Sequence, residues 1–155
     1  MLDLAKEHGI IALSSNYALY ADMSNRMMSV LGQYSPDQEI YSIDECFLGL
    51  DGFSHLDLVE YGKSMLRQVK QWVGIPVCVG IAETKTLAKL ANHCAKKGLA
   101  GEEGVCDFGR MTKADLSRLF AGIEVCEGIQ KNWKMKRERM SPCYTTCWEQ
   151  VPVVC

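Results

Sequence analysis

Apolar residues recur every four positions at Leu19, Met23, Met27 and Leu31, the spacing of one helix face. Ser15 or Asn16 is placed to cap this helix and Gly32 to close it. A longer stripe runs through Leu58, Tyr61, Met65, Leu66, Val69, Trp72 and Val73 and predicts a second amphipathic helix ending at Gly74. Between the two lie Gln38–Ile43 and Cys46–Leu50, short runs rich in β-branched, aromatic and aliphatic residues. Only Asp44 and Glu45 separate these runs, which predicts a hairpin tipped by two acids.

Beyond Gly74, Ile75–Ile81 reads as a short strand, with Pro76 tolerable only near its start or at an edge. Thr84–Lys97 predicts a third helix with Leu87, Leu90, Ala91 and Cys94 inward. Three glycines then precede a strand at Val105–Phe108, and Thr112 with Asp115 forms a capping-box start for a helix through Phe120. Strands interleaved with helices give an α+β domain in which helices cover one face of a small sheet. Leu19, Met23, Met27, Met65, Val69, Trp72, Leu87 and Leu90 are expected to share its core. After Glu127 the stripe is lost, so the sequence divides into a domain at 1–127 and a basic, cysteine-containing tail at 128–155, expected to be poorly ordered or loosely docked.

A chain of 155 residues with 48% hydrophobic and 23% charged residues has the composition of one soluble globular domain, which excludes collagen-like and wholly disordered classes. No run reaches the roughly 18 apolar residues that span a bilayer. The segment Met1–His8 contains acids and lacks the basic start and apolar centre of a signal peptide, so a cytoplasmic location is expected. The eight cysteines form no CxxC pair and are expected to be reduced thiols; Cys143 and Cys147, with His93 and His55 distant, make a poor metal set. The net charge of −2 argues against nonspecific coating of nucleic acid. Its distribution is uneven, −6 over residues 1–54, +1 over 55–127 and +3 over 128–155. An acidic region beside a more basic one permits a metal site next to a phosphate site, and solvated surface charge gives the same pattern.

Asp44 and Glu45 are adjacent carboxylates in an otherwise apolar context, Tyr41-Ser-Ile-Asp-Glu-Cys-Phe-Leu. In a regular strand one of them would face the core at large cost unless paired. At a tip both can reach a hard divalent ion, and a plain polar turn is the alternative. Lys85, Lys89 and Lys96 fall within about 40° of one another on a helical wheel. Such a basic stripe can contact phosphates or remain solvated surface. GxxxxGK[ST] is absent, so no P-loop is present.

Three segments, Ser14-Ser-Asn-Tyr-Ala-Leu-Tyr-Ala-Asp-Met-Ser-Asn-Arg-Met-Met, Tyr41-Ser-Ile-Asp-Glu-Cys-Phe-Leu and Val79-Gly-Ile-Ala-Glu-Thr-Lys-Thr-Leu-Ala-Lys-Leu-Ala-Asn, together resemble the UmuC-type Y-family translesion DNA polymerases. The resemblance runs from about Ile10 to Glu127 and implies a partial ferredoxin-like polymerase palm. It implies that Asp44 and Glu45 match two of three metal-binding carboxylates, which hold Mg²⁺ between a primer hydroxyl and an incoming dNTP. By the same resemblance Lys96 touches the triphosphate, although Lys97 stands where the family has proline, and Ser42 is left a packing role. The implied function is DNA-templated nucleotidyl transfer past lesions, a DNA-repair activity of the SOS response. Damaged primer-template DNA and other SOS polymerase subunits are the implied partners.

The chain departs from this pattern at both ends. The family strand bearing the first metal carboxylate has no match, the thumb pattern breaks at Gly128-Ile-Gln-Lys-Asn-Trp, and an altered reading frame is one source of such a break. The expectation is therefore a piece truncated at both ends and inactive alone. A non-catalytic module binding DNA or polymerase subunits is the alternative. A nucleotidyl cyclase, which shares the palm, fits less well because its Gly-Gly-Asp-Glu-Phe hairpin differs from Tyr-Ser-Ile-Asp-Glu.

Overall fold

A computed structural model of the chain describes residues 7–11, 14–123 and 152–154. Helix α1 spans Tyr17–Leu31, α2 Leu58–Val73, α3 Lys85–Lys97 and α4 Lys113–Gly122. Strands β1 (Gln38–Ile40), β2 (Cys46–Gly49), β3 (Val79–Ile81), β4 (Val105–Asp107) and β5 (Pro152–Val154) form one sheet in the order β1-β2-β5-β3-β4. The β1–β2 pair is antiparallel, β3 and β4 run parallel through the α3 crossover, and β5 lies antiparallel between β2 and β3.

The helix boundaries follow local chemistry. Asn16 caps α1 by accepting from the Leu19 N–H at 3.0 Å, Asp57 caps α2 by accepting from Val59 and Glu60, and Thr84 caps α3 through Leu87. Gly74 and Gly98 end α2 and α3 in the left-handed region at φ +82° and +64°, where a side chain would be strained. Thr112 accepts from the Asp115 N–H and donates to its carboxylate, holding the start of α4.

Alternation along the strands divides the core. Cys46, Leu48, Val79, Ile81 and Val105 meet the buried residues of α1 and α2, while Phe47 and Cys106 meet Ala88, Ala91 and Cys94 of α3. The α+β class holds, and the helices cover both faces of the sheet rather than the one face expected. Two core assignments are corrected. Leu19 is 52% exposed in the first turns of α1, where residues 17–22 are all exposed, and Trp72 is 59% exposed at the edge of the α2 stripe. Met23, Leu87 and Leu90 are half-buried, whereas Met27, Met65 and Val69 are buried as expected.

The strands are shorter than the sequence runs. The first ends at Ile40 rather than Ile43, and the third starts at Val79 rather than Ile75, placing Pro76 outside the ladder. The 128–155 tail falls almost wholly outside the described residues, as do Cys126, Cys143, Cys147 and Cys155. Its residues Pro152–Val154 are an internal strand of the sheet, which corrects the expectation of a loosely docked tail for those three. Cys46, Cys78, Cys94 and Cys106 carry thiols rather than disulfides.

Candidate functional site

The loop Tyr41–Glu45 joins β1 to β2, with the N–H groups of Tyr41 and Ser42 both donating to the Glu45 carbonyl at 3.0 Å. This closure turns the chain within five residues and relaxes strand alternation, so neither acid enters the core. Asp44 is exposed and its Oδ1 accepts from the Ser42 hydroxyl at 2.8 Å. Ser42 thus orients a site carboxylate, a role beyond packing. Glu45 is half-buried, and its Oε2 lies 3.1 Å from Lys89 Nζ of α3. Lys89 Nζ also sits 4.3 Å from the centre of the Tyr41 ring, which packs edge-on against Phe47.

One helical turn earlier, Lys85 pairs with Glu39 and lies 5.3 Å from the Phe47 ring. Glu39 is opposite Phe47 in the β1–β2 register, so the hairpin ladder places that acid and that ring under the same lysine. Lysines four apart on α3 therefore meet two acids of the hairpin, Glu39 of β1 and Glu45 of the loop. Close approach makes this possible. Gly80 of β3 faces α3 so tightly that an added Cβ would lie 2.2 Å from the Asn92 nitrogen.

Of the residues singled out in the sequence, Asp44, Glu45, Lys85 and Lys89 come together here. Lys96 does not join them: it is exposed in the last turn of α3, about 10 Å of helix rise from Lys89, and has no ion-pair partner among the described residues. Glu39, Tyr41 and Phe47 were missed as parts of the cluster. Register alone carried the signal for Glu39, since it becomes a neighbour of Lys85 only once the hairpin is paired.

Each acid of the loop engages one oxygen, and the second oxygen of each meets no protein donor among the described residues. Two such hard donors suit a divalent cation that completes its shell with water or phosphate. Among the described residues no group of three or more His, Cys, Asp or Glu is placed to hold a metal.

A second charged group is already satisfied internally. Arg110 donates to Asp57 at 2.6 Å and lies 3.8 Å from Asp107 beside a cavity of about 140 Å³. The Arg110 hydrogen bond holds the Asp57 carboxyl below its ordinary range, and burial pushes Asp107 up. The cluster clasps the start of α2 to the turn after β4.

Residues 1–93 match the impB/mucB/samB family. The chain belongs to that family. Residues 125–154 separately match a domain of unknown function (DUF4113), so the break in pattern near residue 128 is a second family segment rather than a frame-shifted sequence. Protein UmuC of Salmonella typhimurium is 46% identical over 121 residues, covering 77% of this chain and 28% of that protein. Protein ImpB of Salmonella typhimurium is 50% identical over 92 residues, covering 59% of this chain and 22% of that protein. A DNA polymerase IV of Dehalococcoides mccartyi is 33% identical over 88 residues, covering 56% and 23%. The chain thus spans about a quarter of the length of these impB/mucB/samB relatives. No solved structure matches. The resemblance to UmuC-type Y-family polymerases carried by the three motifs holds, and both the Asp44–Glu45 loop and the α3 lysines Lys85 and Lys89 lie inside the matched residues. Among the described residues no helix is long and apolar enough to cross a membrane.

Proposed function

We propose that the chain is part of the palm of an error-prone translesion DNA polymerase acting in DNA repair in the SOS response, with DNA primer-template and dNTP as its substrates. The observation that carries this reading is the pair Asp44 and Glu45 at a hairpin turn facing the lysines of α3, in a chain whose relatives include a DNA polymerase IV. Asp44 and Glu45 would hold Mg²⁺. When bound, that ion lowers the pKa of an attacking hydroxyl and balances charge on a leaving pyrophosphate. Ser42 fixes the Asp44 carboxylate through Oδ1, leaving Oδ2 for the cation. Lys85 and Lys89 supply positive charge on the side from which phosphates approach, and Lys96 extends that charge along α3 toward the triphosphate or the strand backbone.

The alternative, a non-catalytic module that binds DNA or other SOS polymerase subunits, is favoured by one observation. The hairpin loop supplies two carboxylates, no group of three or more His, Cys, Asp or Glu among the described residues is placed to hold a metal, and two-metal transfer uses donors on both sides of the ion pair. The test has two arms. Mn²⁺ titration should reveal a weak site that Asp44→Ala with Glu45→Ala removes, and primer extension in Mg²⁺ should not rise above an Asp44→Ala control. Equal Mn²⁺ affinity in wild type and the double variant would remove the metal site. Templated extension abolished by Asp44→Ala would show that this chain supplies a complete catalytic set and would remove the module reading.

A further inference from the structure

We infer that Lys89 is an exchangeable counter-ion of the hairpin site: it occupies Glu45 when no cation is present and competes with a divalent ion for that carboxylate. The inference rests on the reading of Asp44 and Glu45 as the cation ligands. Lys89 Nζ stands 3.1 Å from Glu45 Oε2, a direct ion pair. An ammonium and a dication cannot share that oxygen without repelling one another. Binding therefore requires either that the ion take Glu45 through Oε1 against the lysine's field or that Lys89 swing away.

The surroundings favour the exchange. Both partners are partly exposed, the lysine at 38% and the glutamate at 35%, so the separated charges are rehydrated and breaking the pair costs little. The four-carbon stem of lysine is flexible, and the Tyr41 ring that already lies 4.3 Å from Nζ remains a partner for the ammonium when Glu45 is taken by the ion. Lys85 has a different partner, Glu39, which is not among the cation ligands, so it contributes charge without blocking the site.

Charge balance gives the exchange a consequence. Glu39, Asp44 and Glu45 against Lys85 and Lys89 leave the cluster with one net negative charge, and a bound dication makes it net positive. The site then attracts polyanions such as a nucleoside triphosphate only after the ion has arrived, with the released Lys89 ammonium available to a phosphate oxygen.

The experiment is Mn²⁺ titration of the full chain, followed by the electron paramagnetic resonance signal of free Mn²⁺, with folding of every variant checked by circular dichroism. Lys89→Met should tighten Mn²⁺ binding about two- to fivefold, the scale of an exposed ion pair. Lys89→Gln serves as a second neutral variant, and Lys89→Arg should behave as wild type. Lys85→Met should tighten binding less than Lys89→Met. The gain should shrink in high salt, where exposed charges are screened. Unchanged or weaker binding in Lys89→Met and Lys89→Gln overturns the inference, as does an equal gain in Lys85→Met. If Asp44→Ala with Glu45→Ala abolishes binding while the Lys89 variants do nothing, the exchange alone is refuted. If that double variant binds like wild type, the cation reading fails and the exchange with it.

Discussion

Gly80 and Asn92 are in contact through their backbones: a Cβ at Gly80 would fall 2.2 Å from the Asn92 nitrogen and 2.3 Å from the Ala88 carbonyl oxygen. The Asn92 side chain reinforces the approach by donating to the Cys78 carbonyl at 2.9 Å. Here the need for glycine is one of space, because the obstructing atoms are helix backbone that cannot rotate away. Gly80→Ala should therefore push α3 off β3 and destabilise the chain by about 3 kcal/mol, the upper end of overpacking costs. Urea denaturation reads this directly, and a loss under about 1 kcal/mol would mean that α3 tolerates displacement. The same displacement should lengthen the Lys89–Glu45 pair.

The α2 stripe supports a comparison within one helix. Val69 is fully buried against the sheet, whereas Trp72, three residues on, is 59% exposed. Val69→Ala should cost about 1–3 kcal/mol, and both Trp72→Ala and Lys70→Ala under about 0.5 kcal/mol. Equal losses at positions 69 and 72 would contradict the register of α2 on the sheet.

Helices were more legible than strands, and the reason is local. Helix α2 is written in its own residues, from the Asp57 cap to the left-handed Gly74, and its ends at Leu58 and Val73 match the first and last residues of its apolar stripe. The sidedness of Trp72 was not legible, because a stripe locates a face without saying how far the neighbouring sheet reaches. The length of β1 was lost for a similar reason. Tyr41 and Ile43 look like strand residues, yet the bonds from Tyr41 and Ser42 to the Glu45 carbonyl turn the chain first. In the site, Asp44 and Glu45 stood out as acids in an apolar run, and their pairing with Ser42 and Lys89 needed the tertiary arrangement. Nothing in the sequence near residue 152 announced a central strand.

Cys106 provides a pH-dependent test. Its thiol is fully buried, and burial, followed by the nearby Cys94 and Asp107, pushes its pKa up to about 12 from 9.0. Above pH 9 the unfolded chain loses this proton while the folded chain keeps it, so the contribution to stability is complete below pH 9 and declines as pH rises toward 12. Under reducing conditions, the urea midpoint of wild type should fall more between pH 8 and pH 10.5 than that of Cys106→Ala. Parallel declines would show that the thiol titrates normally in the folded chain.

β5 joins the two halves of the sheet. Val153 is registered with Leu48 of β2 on one side and Ile81 of β3 on the other, and Val154 with Phe47 and Gly80. β2 and β3 do not pair directly, so the order β1-β2-β5-β3-β4 depends on a strand that arrives from the far end of the sequence. Pro152, which has no N–H to give, stands at the first strand position, where it is tolerated. A proline one residue later is different, since it removes a donor from the centre of the sheet and forces its ring between two paired strands. With each ladder hydrogen bond contributing about 1 kcal/mol net, Val153→Pro should cost several of them at once. It should also uncover the inner edges of β2 and β3, which present free N–H and C=O groups to other chains. The expected result is a lower thermal midpoint together with concentration-dependent aggregation measured by light scattering. A soluble peptide spanning residues 149–154 should bind the Val153→Pro chain and suppress the aggregation, and the same peptide carrying proline at 153 should not. A variant that melts like wild type and ignores the peptide would mean that β2 and β3 are held together without β5.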